Sequence, residues 1–277
     1  MDKERLLKQV RKQSQILIKG LRPSALLGRF VGPRVLINSV PKAGTNLLQE
    51  IVLRLPFMRG KISRTLHLSH GSDAMIRKLT SLRKGQCMTG HIIYDEAVDI
   101  AIQASGIKHV MIIRDFRDVV YSNIQYLATG HISHPHNKLF AQMSSLDEKI
   151  SACLLGSEVL DIRPWADLMK DYRGWQNSKE ILIVRFENLM NPDSKISEAE
   201  IYKVAVYLNP NISILDTATM KMELGEIRQR MINPKGLTFS APGIDKWKGN
   251  FNQNQISRLN EALREDLIYW GIRFNGY

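Results

Sequence analysis

From residue 34 onward the chain alternates between two hydrophobic rhythms. Short runs dominated by apolar and branched side chains occur at 34–39 (RVLINS), 108–114 (KHVMIIR) and 180–186 (EILIVRF), with a shorter one at 86–91. Runs of this length and composition predict strands buried on both faces. Between them apolar positions recur three and four apart, as at 47, 48, 51, 52 and 55. That spacing predicts a helix over 47–55, and similar patterns predict helices over 94–104, 117–127, 198–208 and 254–270. A long helical stretch over 145–172 is interrupted by Pro164, which cannot continue the hydrogen-bond ladder. Strands alternating with helices predict an α/β fold: a three-layer sandwich with a central parallel sheet flanked by helices. Such a sheet presents its ligands at the carboxyl ends of its strands. Neither an internal repeat nor a low-complexity linker divides the chain, so 31–277 reads as a single domain.

The first thirty residues follow another pattern. Leu6, Leu7, Val10, Leu17 and Ile18 share one helical face, surrounded by Lys3, Arg5, Lys8, Arg11, Lys12 and Lys19. Residues 1–30 therefore form a basic amphipathic segment, for which peripheral membrane contact, packing on its own domain and packing on a second subunit are the readings to weigh. The whole chain carries 39 basic against 27 acidic residues, a formal charge of +12. Such an excess suits an anionic ligand, nucleic acid or an acidic membrane. Cys87 and Cys153 lie in apolar surroundings and read as reduced core thiols rather than metal ligands. No apolar run approaches the roughly 20 residues that cross a bilayer, and no signal peptide is evident, so a cytoplasmic protein is expected.

Candidate chemistry begins at 40–46 (VPKAGTN), between the first predicted strand and the helix after it. A helix N-terminus offers N–H groups and a positive dipole end to an anion. Gly44 lets the backbone approach closely, Lys42 adds a mobile charge, and Thr45 can cap the helix. The lysine precedes the glycine, so this is not a Walker A loop. A second stretch, 112–122 (IIRDFRDVVYS), sets Arg114 at the end of a buried strand and Ser122 eight residues later on a helix. A guanidinium and a hydroxyl so placed can converge on one phosphate. The loop 129–138 holds His131, His134 and His136 without metal-ligand spacing and reads as a polar loop near the substrate mouth.

At these residues the chain resembles the sulfotransferases that use 3′-phosphoadenosine 5′-phosphosulfate (PAPS). PKAGTN looks like that family's 5′-phosphosulfate loop, and RDFRDVVYSNIQY like its 3′-phosphate motif. GSEVLDIRPWADLMKDY and VRFENLM look like its middle segments, and APGIDKWKGNF like the loop that closes over the nucleotide. The resemblance implies a P-loop-NTPase-like fold and transfer of a sulfuryl group from PAPS, without a metal, to a hydroxyl or amine. It implies that Lys42 contacts the bridging oxygen, that backbone N–H groups of Ala43, Gly44, Thr45 and Asn46 cradle the 5′-phosphate, and that Arg114 and Ser122 bind the 3′-phosphate. His91 matches the catalytic histidine of the cytosolic branch, and Glu50 matches a glutamate that serves as base in heparan-type members. The choice between them stays open.

Three positions depart from the cytosolic pattern. Leu47 stands where the family stacks adenine on tryptophan, Phe186 where tyrosine is usual, and Ser240 where an arginine is usual. Leu47 and Phe186 remain candidate surfaces for the adenine. Lys235, Lys246 and Lys248, near Trp247 in the closing loop, are candidates to replace the arginine. The acceptor expected is a carbohydrate or glycolipid hydroxyl rather than a phenol, in a site shaped by 129–138 and by the basic segment 57–85. A nucleotide-dependent small-molecule kinase is the alternative enzyme. A non-catalytic nucleic-acid or membrane-binding protein is the alternative outside enzymes, though no nucleic-acid module is recognisable and no nucleic-acid partner is expected.

Overall fold

Five parallel strands form the centre: β1 (Arg34–Ser39), β2 (Gly60–Lys61), β3 (Gln86–Gly90), β4 (Ile107–Ile113) and β5 (Ile181–Arg185), in the order β2-β3-β1-β4-β5. This computed structural model describes residues 23–61, 65–66, 71–128, 136–157, 162–210 and 243–273. His131, His134, Lys235 and Ser240, and the basic segment before residue 23, lie outside the described residues. The helices are α1 (Pro23–Val31), α2 (Thr45–Arg54), α3 (Ser72–Thr80), α4 (Glu96–Ala104), α5 (Phe116–Ala128), α6 (Asn137–Gln142) and α7 (Leu146–Leu155). They continue with α8 (Trp165–Lys170), α9 (Phe186–Leu189), α10 (Ser194–Leu208), α11 (Lys246–Asn250), α12 (Gln253–Ala262) and α13 (Arg264–Tyr269).

The side-chain alternation of β1 explains the three layers. Val35 and Ile37 join Leu47, Leu48, Ile51 and Val204 in a core beneath α2 and α10. Leu36 turns to the opposite core, with Met88, Met111, Phe116, Trp175 and Trp270. Both faces are covered, as the apolar runs require. The chain enters at β1, builds β2 and β3 on one side, then crosses to β4 on the other. The ends of β1 and β4 therefore flank a topological switch point, where α/β sheets open a crevice.

The expected strands match the observed ones to within a residue or two. The stretch 145–172 breaks earlier than expected: its first helix ends before Gly156, and Pro164 takes the N-cap position of α8. Gly156 ends α7 at φ 68, where an added Cβ would lie 2.5 Å from the Ile162 carbonyl oxygen. The helix expected over 254–270 divides at Leu263, which leaves helical geometry at φ −103, ψ 5. Thr45, expected as a cap, is the first helical residue of α2, and Gly44 takes the cap position. Cys87 and Cys153 are buried free thiols, each pushed up to about 12 by burial. Among the described residues no helix is long and apolar enough to cross a membrane.

Candidate active site

The carboxyl edge of the sheet gathers the candidate residues. The loop after β1 is held in a conformation that an ordinary residue avoids. Lys42 has φ 69, a left-handed backbone that costs about 1–3 kcal/mol in a non-glycine residue. Gly44 has φ 111, and an added Cβ there would come within 2.7 Å of the Phe186 ring. The same ring carries the guanidinium of Arg114, its carbon 4.3 Å from the ring centroid. Phe186 thus spans the two phosphate motifs.

Arg114 is almost wholly buried. Its Nη2 donates to the Gly243 carbonyl at 3.1 Å and pairs with Asp118 at 3.4 Å. Its buried Nε has no hydrogen-bond partner among the described residues. Lys42 places its ammonium 3.8 Å from the centroid of the Tyr126 ring. Burial, and then the charge of Arg114, lower Lys42 to about 8. Lys246 is lowered too, first by burial and next by Arg114. Three cations therefore crowd one site. Asp118 and Glu187 are acids set against Arg114, and burial raises the pKa of each. An orphaned donor among mutually repelling cations fits a polyanionic ligand, and so fits a nucleotide phosphate.

His91 follows β3, beside the end of β1. Its backbone N–H donates to the Leu66 carbonyl at 2.9 Å. The next residue is fastened from both sides. Buried Asn38 donates through Nδ2 to the Ile92 carbonyl at 2.9 Å and accepts the Ile92 N–H at 2.9 Å, while Trp175 Nε1 donates to the same carbonyl at 2.9 Å. His91 Nδ1 lies 3.0 Å from the Ser39 carbonyl and 3.2 Å from Ser39 Oγ. A carbonyl only accepts, so in the neutral ring Nδ1 carries the proton and Nε2 the lone pair. Ser39 Oγ also bonds the Thr45 hydroxyl, linking His91 to the first residue of α2.

The other candidates are placed as follows. Glu50 lies farther along α2, where its carboxylate pairs with Arg54 at 2.6 Å. It also acts electrostatically on Cys87, near the beginning of β3. Leu47 is buried in the core beneath α2. Ser122 is half-buried on α5, two turns beyond Arg114. The backbone N–H of Trp247 donates to Asp118 Oδ1 at 3.1 Å, and the indole ring receives the Arg117 guanidinium at 3.9 Å. Arg117 is itself gripped by Asp115 at 2.9 and 2.6 Å. These contacts bind α11 to α5 and leave Trp247 in the core. Lys248 pairs with Asp245 at 2.9 Å, so Lys246 is the lysine of α11 that acts on Arg114.

Of the basic residues of 57–85, Arg64 lies outside the described residues, and Arg59 and Lys84 lie at the opposite edge. Arg59 precedes β2, its N–H bonded to the Gly85 carbonyl at 2.8 Å, and Lys84 donates to the Phe30 carbonyl at 2.7 Å. Both sit where the strands begin.

A family model described as a sulfotransferase domain matches residues 32–271. The chain belongs to the sulfotransferase family. Among solved structures, mouse sulfotransferase SULT7A1 complexed with PAP shares the fold, with a TM-score of 0.60, 16% identity and 91% of each chain covered. Retinol dehydratase in complex with androsterone and PAP has a TM-score of 0.48 and 14% identity, covering 95% of this chain and 88% of its own. No curated protein sequence matches. As a sulfotransferase the protein is an enzyme, which removes the kinase and the non-catalytic binding protein as alternatives. Three residues of this sulfotransferase's site escaped the sequence reading: Asn38, Ser39 and Tyr126. Their partners lie 54, 52 and 84 residues away, so the motifs that contain these residues do not reveal the contacts.

Proposed function

We propose that this sulfotransferase transfers a sulfuryl group from PAPS to an acceptor hydroxyl. The crowding of Lys42, Arg114 and Lys246 around the unpartnered Nε of Arg114 supports this reading. A donor with phosphates at both 5′ and 3′ positions relieves that repulsion at two points. The solved mouse sulfotransferase of the same fold was crystallised with PAP, the donor's spent form.

When bound, PAPS supplies an activated sulfuryl group on a phosphate leaving group. The roles then divide by position. The first turn of α2 directs backbone N–H groups at the 5′-phosphate. Lys42 stabilises the negative charge that grows on the bridging oxygen as the sulfur–oxygen bond breaks. Arg114, Ser122 and Lys246 hold the 3′-phosphate, Lys246 serving where the family arginine is absent. His91 Nε2 takes the acceptor proton as the new oxygen–sulfur bond forms, and Ser39 fixes its tautomer. The pairing of Glu50 with Arg54 supports His91 over Glu50 as the base. Tyr126 keeps the Lys42 ammonium charged and directed while no donor is bound.

Calorimetry with 3′-phosphoadenosine 5′-phosphate tests the donor assignment. The native protein binds it, and Arg114→Ala weakens binding by about 100-fold, the loss of a charge-assisted phosphate contact. Equal affinity of the two proteins would remove the 3′-phosphate role.

A further inference from the structure

We propose that α1 and the cations beside it form a docking face for an anionic lipid surface. Leu26, Leu27, Phe30 and Val31 are 53%, 55%, 70% and 65% exposed. At the helical turn per residue these four positions fall within an arc of about 140°. The opposite arc holds Gly28 and Gly32. An added Cβ at Gly28 would lie 2.2 Å from the Phe57 carbonyl oxygen, and one at Gly32 would lie 2.4 Å from the same atom. The helix is thus seated by glycines and turns its large apolar side chains outward. A helix that serves its own core does the reverse.

Charge identifies the occupant. Three segments meet at this edge of the sheet: 23–36, 55–61 and 81–88. They contain Arg29, Arg34, Arg59, Lys61, Arg83 and Lys84 and no acidic residue. Arg29, Arg83 and Lys84 are exposed, and Lys84 caps the end of α1 at the Phe30 carbonyl. A second copy of the chain packed face to face would bring like charges together. Residues 1–22 carry seven basic and two acidic residues, so covering the face with them repels as well. An apolar stripe bordered by cations matches an anionic bilayer interface.

The test uses the full chain in co-sedimentation with phosphatidylcholine vesicles, with and without about one-third phosphatidylserine. The protein is expected to partition onto the phosphatidylserine vesicles, and less so as salt rises. The double variant Leu27→Glu/Phe30→Glu should lose partitioning by about tenfold or more while keeping its unfolding midpoint, since both residues are exposed. No binding to either vesicle, equal binding to both, or undiminished binding of the variant overturns the proposal. A solution dimer that the same variant dissociates also overturns it, by assigning the face to a second copy.

Discussion

At the carboxyl edge of the sheet the cations are drawn out of water and aimed by fixed partners: half-buried Lys42 over the Tyr126 ring, buried Arg114 over the Phe186 ring. At the amino edge they are exposed around apolar side chains, as with Arg29 and Lys84 beside Phe30. Both edges draw on the same net charge of +12. Burial separates their uses. A desolvated cation interacts strongly with one anion in one geometry, whereas an exposed cation interacts weakly with many. Net charge in a sequence therefore says that anions are involved, and only burial says whether one is gripped or many are met.

The sharpest way to break this contrast is at the carboxyl edge. Replacing His91 by Gln should lower kcat by about 100-fold or more, the contribution of a general base, with little change in affinity for the spent donor. Glu50→Gln should leave kcat within a few-fold. Single-turnover rates decide the matter, and the opposite ranking would transfer the base to Glu50.

Next in size is the pH response of the half-buried lysine. Lys42 titrates at about 8 in the free protein, lowered by burial and by Arg114. Below that pH it is an ammonium and can stabilise the leaving oxygen; above it the charge is lost. kcat/KM should therefore fall about tenfold per unit above pH 8, because this ratio reports the free enzyme. In Tyr126→Leu the falling limb should move to lower pH, since the ring stabilises the charged form. Tyr126→Phe should keep the native limb. A limb unmoved by the loss of the ring would reduce Tyr126 to packing.

The smallest effect belongs to the amino edge. Gly28→Ala sets a methyl group 2.2 Å from the Phe57 carbonyl oxygen. It should lower stability by about 1–3 kcal/mol, as overpacking does, and leave affinity for the spent donor unchanged. Denaturant unfolding and calorimetry on one preparation separate the two. A matching loss of nucleotide affinity would show that the edges are coupled.

What could be read from the sequence follows the range of the forces involved. β1 and β4 are legible because a strand buried on both faces must be apolar along its whole length. Lys42 and Gly44 are legible because their job is done within a few residues. Tyr126 is not, because its contact with Lys42 exists only once α5 lies beside the loop. The outward face of α1 was within reach, since Gly28 and Gly32 stand one turn apart. A reading that seeks apolar residues for the core assigns Leu26 and Phe30 inward. Charge along a chain, in turn, does not say which end of a strand it will occupy: Arg59 and Lys84 lie where the strands begin.

β1 joins the two edges. Gly32 and Pro33 seat its beginning beside Gly85, and Ser39 closes its end beside His91. Six residues of strand span about 20 Å. On a surface moored by α1, the sheet becomes a spacer that lifts the reaction centre clear of the headgroups and points it at the water. The enzyme would then select acceptors by reach: a hydroxyl lying flat in the same leaflet is out of range, and one borne on a long stalk or arriving from solution is not.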